Sequence, residues 1–181
     1  MRGHCILSHG FESGPDATKV SALAEVADAF GWSHERPDYT DLDARREAGE
    51  LGDVPARVAR LLALARDAAA RGPLLLAGSS LGAWISGHVS LQVPVAGLFL
   101  LAPPVRMADA SGNPAPPMDA APVPISIVHG WHDELIAATD VVEWAQPRNA
   151  RLLLVDDGHR LSAHVHDSAE AFAALLRALA A

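Results

Sequence analysis

The stretch that decides the fold of this chain runs from Leu74 to Ala83 and reads LLLAGSSLGA. Its apolar first half is short enough for one buried strand, and Gly78 breaks that run. Two serines follow, and helix-forming residues begin around the second glycine, Gly82. The stretch therefore predicts a strand and a helix joined by a very tight turn, with Ser80 at the turn itself.

The turn follows the pattern G-x-S-x-G from Gly78 to Gly82, which is typical of a nucleophile elbow. A serine on so tight a turn has strained backbone angles, and side chains two positions before or after it would collide with the turn. Glycine at both positions removes that collision and leaves the Ser80 hydroxyl exposed above the sheet edge. The amide of Leu81 stays free to donate to an oxyanion. A plain Gly/Ser turn has the same composition, so the motif needs partners elsewhere in the chain.

The overall composition favours one compact domain over residues 1–181. Half of the 181 residues are hydrophobic, and a chain of this length can bury them in a substantial core. Charged residues make up 20% of the chain, as in a compact protein. The formal net charge of −8 argues against nucleic acid and anionic membranes as partners. We expect a cytoplasmic protein, because no segment is long enough for a transmembrane helix and no secretory signal is present. The lone cysteine, Cys5, lies in an apolar run and is expected to be a buried residue rather than a reactive thiol.

Apolar runs alternate with amphipathic segments along the chain. Continuous apolar strands between helices predict a mostly or wholly parallel sheet of about six strands in a three-layer α/β/α sandwich. Two stretches are expected to lack regular structure: the charged segment 41–52, as a solvated loop, and most of Pro103–Pro124, which contains seven prolines. The expected strands are 4–8, 34–37, 74–77, 95–102, 125–128 and 151–155, and the expected helices are 18–30, 54–68, 81–89, 139–145 and 167–179.

Two further polar residues follow strand ends and complete a possible relay with Ser80. Ligands of such sheets bind beyond the carboxyl ends of the strands, and Asp133 and His159 both fall there. His159 could take the Ser80 proton near neutral pH, and Asp133 could hold the imidazole in the productive tautomer. Two alternatives stay open: Asp133 as a cap of the next helix and His159 as a surface histidine.

The order serine, aspartate, histidine and four short motifs resemble the α/β-hydrolase superfamily over nearly the full chain. The chain is most similar to the small lidless bacterial serine hydrolases and esterases. It departs from the longer family pattern because it begins at what would be the third strand and has no room for a cap domain, so the resemblance implies a minimal core. The motifs are His9-Gly10-Phe11, Gly78–Gly82, His129–Asp133 and Gly158-His159.

The resemblance implies a Ser80–His159–Asp133 triad and an oxyanion hole built from the backbone amides of Phe11 and Leu81. It also implies hydrolysis of a small-molecule ester, with thioesters and amides as alternatives, since all three pass through an oxyanion. The segment Pro103–Pro124 stands where larger relatives insert a lid and is short, which predicts an open, shallow site for short acyl groups. Candidates for the acyl pocket, each equally explained by ordinary packing, are Trp131, Leu135, Pro104, Val105 and Met107.

Two other classes of function compete with a serine hydrolase. Nine histidines suggest a metal hydrolase, but none of them falls in a zinc signature, and we expect neither a metal nor another cofactor. A hydrolase scaffold can also serve as a non-catalytic binding module, since a fold does not determine a function. A covalent serine probe would separate these classes.

Overall fold

The computed structural model describes residues 2–107 and 117–180. Six strands occur along the described chain, and a helix lies between every consecutive pair except β4 and β5, where none is described. The strands are β1 (His4–Ser8), β2 (Ser33–Glu35), β3 (Leu74–Ser79), β4 (Gly97–Leu101), β5 (Ile125–Gly130) and β6 (Arg151–Val155). The helices are α1 (Thr18–Ala29), α2 (Thr40–Asp43), α3 (Val54–Ala69), α4 (Leu81–Ser90), α5 (Ala138–Ala145) and α6 (Val165–Leu179), with 3₁₀ turns at Arg46–Ala48 and Gln146–Arg148.

The strands form one sheet in the order β2-β1-β3-β4-β5-β6, and every neighbouring pair is parallel. The predicted parallel sheet of six strands is therefore confirmed. The carboxyl ends of β1, β3, β5 and β6 all lie at the same edge, because parallel strands share one direction. The loops that follow these four strands carry the candidate site.

The core has two parts, one on each face of the sheet, because successive strand side chains point to opposite faces. Ile6 of β1 packs with residues of α3, α4 and α5, whereas its neighbour Leu7 packs with residues of α1 and α6. Both side chains are at most 1% exposed. Helices thus cover both faces, which confirms the predicted α/β/α sandwich.

Segment 41–52 matches the predicted solvated loop only in part, because residues 44–50 are exposed whereas Leu42 and Asp43 are buried. It contains the end of α2 and a 3₁₀ turn, and Asp43 is only 6% exposed. The reason is a partner on α3: the fully buried guanidinium of Arg57 neutralises the carboxylate. The proline-rich segment has no helix or strand in its described parts, 103–107 and 117–124, and its stretch 108–116 lies outside the described residues.

Candidate active site

Ser80 occupies the turn between β3 and α4 with a strained backbone. Its φ of 51° and ψ of −120° are rare for a residue with a side chain. The Ser80 amide donates to the Leu101 carbonyl over 2.8 Å, which ties the turn to β4. The predicted strand, tight turn and helix are all present.

The two glycines of the elbow make close backbone contacts, as expected. A Cβ on Gly78 would lie 2.5 Å from the amide nitrogen of Ala83. A Cβ on Gly82 would lie 2.6 Å from the His9 carbonyl oxygen. Strand β3, helix α4 and the end of β1 therefore meet backbone to backbone around Ser80.

His159 lies between Ser80 and Asp133 and contacts both. Its Nε2 is 2.9 Å from Ser80 Oγ, and its Nδ1 is 2.8 Å from Asp133 Oδ2. An ionised carboxylate can only accept, so Nδ1 carries a proton and Nε2 is free to accept the Ser80 hydroxyl proton. The structure thus brings together the three side chains that the sequence placed after separate strands.

Asp133 is held by backbone donors as well as by His159. Its Oδ1 accepts the amides of Leu135 and Ile136, each over 2.9 Å, in the manner of a turn cap. Burial alone would raise the pKa of Asp133, but the hydrogen bonds from His159, Leu135 and Ile136 outweigh it and lower that pKa below its usual range. The capping alternative and the triad geometry coexist, because the two carboxylate oxygens have different partners.

The loop after β1 packs directly against the elbow. A Cβ on Gly10 would lie 3.4 Å from Ser80 Cβ, and the next residue, Phe11, lines the same cavity as Ser80. Within the described chain, the Phe11 amide donates to no acceptor. The Leu81 amide is the first of α4 and precedes the hydrogen-bonded ladder of that helix. Among the described residues, neither of the two expected oxyanion donors is therefore engaged by a protein acceptor, and their role stays a prediction.

Ser80 and His159 open onto a cavity of about 720 Å³. Its wall combines apolar side chains with charged and hydroxyl groups, and it includes parts of the β1 loop, α1 and the loop after His159. The described lining residues are Gly10, Phe11, Glu12, Ser13, Ala17, Thr18, Lys19, Leu51, Ser79, Ser80, Glu134, Leu135, His159, Arg160, Ser162 and Val165.

The pocket candidates are distributed unevenly. Leu135 lines the cavity and is 71% exposed. Val105 is fully buried in the core cluster shared with α3, α4 and α5, and Trp131 is exposed, with its amide bonded to the Val155 carbonyl. Neither of these two, nor Pro104 or Met107, is among the described lining residues.

Charged groups near the site that the sequence patterns did not predict include Lys19, Arg57 and Glu134, whose carboxylate accepts the His159 amide over 3.1 Å. Lys19, on the first turn of α1, lines the cavity, and burial lowers its pKa to about 8. Arg57 lies beneath the β1 loop. The sequence does contain a sign of its burial. Val54, Arg57 and Leu61 share one face of α3, so that Arg57 interrupts an otherwise apolar stripe.

Over 2–107 and 117–180, no three His, Cys, Asp or Glu side chains form a group that could hold a metal ion. Nor is any helix in that part of the chain long and apolar enough to cross a membrane.

Comparisons with known proteins identify the family and support the fold. A protein from Xanthomonas campestris pv. campestris assigned to the alpha/beta hydrolase superfamily is 66% identical, with a TM-score of 0.93 over 98% of this chain and 99% of that one. Est1E from Butyrivibrio proteoclasticus is 17% identical, with a TM-score of 0.75 over 98% of this chain and 88% of that one.

A serine hydrolase without a lid from Xanthomonas campestris is 19% identical, with a TM-score of 0.63 over 96% of this chain and 81% of that one. No curated protein matches the sequence. The profile described as "Alpha/beta hydrolase domain" matches residues 1–181. The chain therefore belongs to the alpha/beta hydrolase family.

Proposed function

We propose that this protein is a serine hydrolase that cleaves carboxylic esters of small or short-chain acyl groups through an acyl-enzyme. The observation that carries the proposal is the pair of linked hydrogen bonds from Ser80 through His159 to Asp133, at the wall of a cavity. A serine hydroxyl is a weak nucleophile until a base lies within hydrogen-bonding distance, and this arrangement supplies one.

In the first half of the reaction, His159 Nε2 takes the proton of Ser80 as Oγ attacks the ester carbonyl carbon. The negative charge that develops on the carbonyl oxygen is stabilised by the amides of Phe11 and Leu81. Asp133 stabilises the protonated imidazole. His159 then gives its proton to the leaving alkoxide, the C–O bond breaks and the acyl group stays on Ser80.

In the second half, water replaces the alcohol. His159 takes a proton from the water, and the resulting hydroxide attacks the acyl-serine carbonyl. Collapse of the second tetrahedral intermediate releases the acid and returns the proton to Ser80 Oγ. Both halves use the same three side chains and the same two amides, so no further group is needed to balance protons or electrons.

A covalent serine probe tests the proposal directly. A fluorophosphonate should label the wild-type protein once, on Ser80, and Ser80→Ala should abolish the label. Ser79→Ala is the matched variant, because the neighbouring hydroxyl also lines the cavity but has no histidine partner, and it should keep the label. Absence of labelling in folded wild-type protein would favour the non-catalytic binding module.

A substrate series tests the acyl preference. We expect the highest kcat/KM for p-nitrophenyl acetate to butyrate, slower turnover of matched thioesters, and the slowest turnover of anilides, whose leaving groups need the strongest protonation. Activity that persists in a chelator supports serine chemistry over the metal alternative. A preference for long acyl chains with interfacial activation would contradict the short-chain proposal.

A further inference from the structure

A buried ion pair lies directly beneath the β1 loop. Arg57 of α3 is fully buried and Asp43 of α2 is 6% exposed. Arg57 Nε is 2.9 Å from Asp43 Oδ1, although the two groups are not aligned as a linear hydrogen bond, and Nη2 is 3.3 Å from Oδ2. Burying two charges is costly and often adds little stability, so a pair in this position invites a functional explanation.

The guanidinium also binds the backbone of the β1 loop. Arg57 Nη2 donates to the Gly10 carbonyl over 3.2 Å. His9 donates to the same oxygen from Nδ1 over 2.7 Å. The proton is on Nδ1 because His9 Nε2 accepts the Tyr39 amide over 3.0 Å, and burial lowers the pKa of His9 so that the ring stays neutral. Two buried donors therefore hold the Gly10 carbonyl toward the protein interior.

This orientation determines where the next amide points. The peptide bond is planar and trans, so its carbonyl and its N–H point in opposite directions. With the Gly10 carbonyl turned toward Arg57, the Phe11 N–H points the opposite way. Phe11 itself lines the cavity that contains Ser80. Its amide is the one expected to donate to the oxyanion.

Asp43 holds the other end of the same loop. Its Oδ2 accepts the Glu12 amide over 3.1 Å. Glu12 has a φ of 52°, an unfavourable value for a residue with a side chain. The loop on both sides of Phe11 is therefore tied to one buried ion pair, and its strained conformation is kept by those bonds.

We propose that Arg57 and Asp43 are positioning residues that aim the Phe11 N–H at the oxyanion of the ester transition state. The inference rests on the proposed serine-hydrolase function. Neither residue touches the substrate, since the cavity lining contains neither of them. Their effect is transmitted through the Gly10–Phe11 peptide and the Glu12 amide.

A neighbouring ion pair gives a matched control. Arg60, one turn further along α3, binds Asp41 of α2 over 2.7 and 2.9 Å. It joins the same two helices and also donates to the Asp38 carbonyl, but it has no hydrogen bond or ion pair with the β1 loop among the described residues, and its side chain is 35% exposed. If Arg57 served only to fasten α2 to α3, then removing Arg60 should have a comparable effect on activity.

The experiment compares Arg57→Met, Arg57→Lys, Asp43→Asn and Arg60→Met in the full chain. Steady-state hydrolysis of p-nitrophenyl acetate gives kcat and KM, and inhibition by a phenylboronic acid reports binding of a tetrahedral oxyanion mimic. We expect Arg57→Met to lower kcat about 10- to 100-fold with KM changed less than about twofold. The boronate affinity of Arg57→Met should fall by a similar factor. For Arg57→Lys and Asp43→Asn, kcat and boronate affinity should lie between those of wild type and Arg57→Met. Arg60→Met should keep the wild-type kcat and boronate affinity.

Three results would overturn the proposal: folded Arg57 and Asp43 variants with kcat and boronate affinity within twofold of wild type, an increase in KM alone, or an equal loss in Arg60→Met. If Arg57→Met does not fold, the conservative variants Arg57→Lys and Asp43→Asn decide, with circular dichroism as the folding check.

A separate readout distinguishes failure of this inference from failure of the proposed function. If the wild-type protein hydrolyses no ester, amide hydrogen exchange at Glu12 still tests the positioning role. Exchange at Glu12 should accelerate in the folded Arg57 variants and stay unchanged in Arg60→Met. Unchanged exchange in all the variants would overturn the inference.

Discussion

Gly82→Ala should displace Ser80, the proposed nucleophile, because the added methyl group would collide with the main chain at the end of β1. The added Cβ would lie 2.6 Å from the His9 carbonyl oxygen and closer still to that of Ser8, whereas ordinary contacts begin at 3.4 Å. Neither oxygen belongs to a side chain that can rotate away. Helix α4 would therefore have to move about 1 Å from β1, and Ser80, at its N-terminus, would move with it.

Two effects of this substitution oppose each other. Alanine has a higher helix propensity than glycine, so the substitution alone would stabilise the folded protein by at most about 1 kcal/mol. The overlap with rigid backbone costs about 1–3 kcal/mol, as overpacking of a core does. The collision should prevail, with a net loss of about 1–2 kcal/mol and a Tm lower by about 2–8 °C. Displacement of the nucleophile by about 1 Å should lower kcat about 100-fold.

The assay combines thermal unfolding, ester hydrolysis and the rate of fluorophosphonate labelling. Gly14→Ala is the control, because a Cβ there would meet no atom within 4 Å and its φ is not positive. That variant should match wild type in activity, and its free energy of unfolding should increase by at most about 1 kcal/mol. Normal labelling and an undiminished Tm in Gly82→Ala would refute the idea that main-chain contact holds the elbow in place.

Three further predictions concern individual ionisable groups. Asp133→Asn should lower kcat about 10³- to 10⁴-fold. The protein should stay folded, because the amide oxygen can still accept from Leu135 and Ile136. Steady-state kinetics and circular dichroism check this, and a near-normal kcat would contradict the role of Asp133. Lys19 has a folded pKa of about 8 against 10.5 when unfolded, so between these values the unfolded state binds more protons and stability should rise with pH. Lys19→Met should abolish that rise and increase the free energy of unfolding by up to about 3 kcal/mol at pH 7. Urea unfolding from pH 7 to 10 measures both effects. An unchanged rise in the variant would refute the lowered pKa of Lys19. Cys5 is fully buried and burial raises its pKa to about 12, so a disulfide reagent should react only after unfolding, and rapid reaction of native protein would be inconsistent with its place in the core.

Features encoded by short-range patterns could be predicted from the sequence. The apolar run of β3 indicates a buried strand, because a central parallel strand is covered on both faces. The glycines of the elbow indicate a tight turn, because local sterics exclude side chains at those positions. The order of Ser80, Asp133 and His159 along the chain was informative for a related reason. In a parallel sheet, a residue just after any strand lies at the same edge, so the topology brings distant residues together.

The environment of the β1 loop could not be predicted in this way. Asp43 sits in a charged stretch that reads as solvated, and its burial depends on Arg57, on a different helix. The lowered pKa of Lys19 likewise arises from the packing of α1 beside the cavity. Such pairings depend on how helices approach one another, which periodicity within a single helix does not specify.

Leu135 belongs to the site in two separate ways, with consequences for engineering. Its main-chain N–H steadies the Asp133 carboxylate, while its side chain is exposed at the cavity mouth. Most replacements would thus reshape the entrance and leave the proton relay intact. Proline is the exception, because it lacks the N–H. A saturation library at this single codon is therefore a practical test of the proposed preference for short acyl groups.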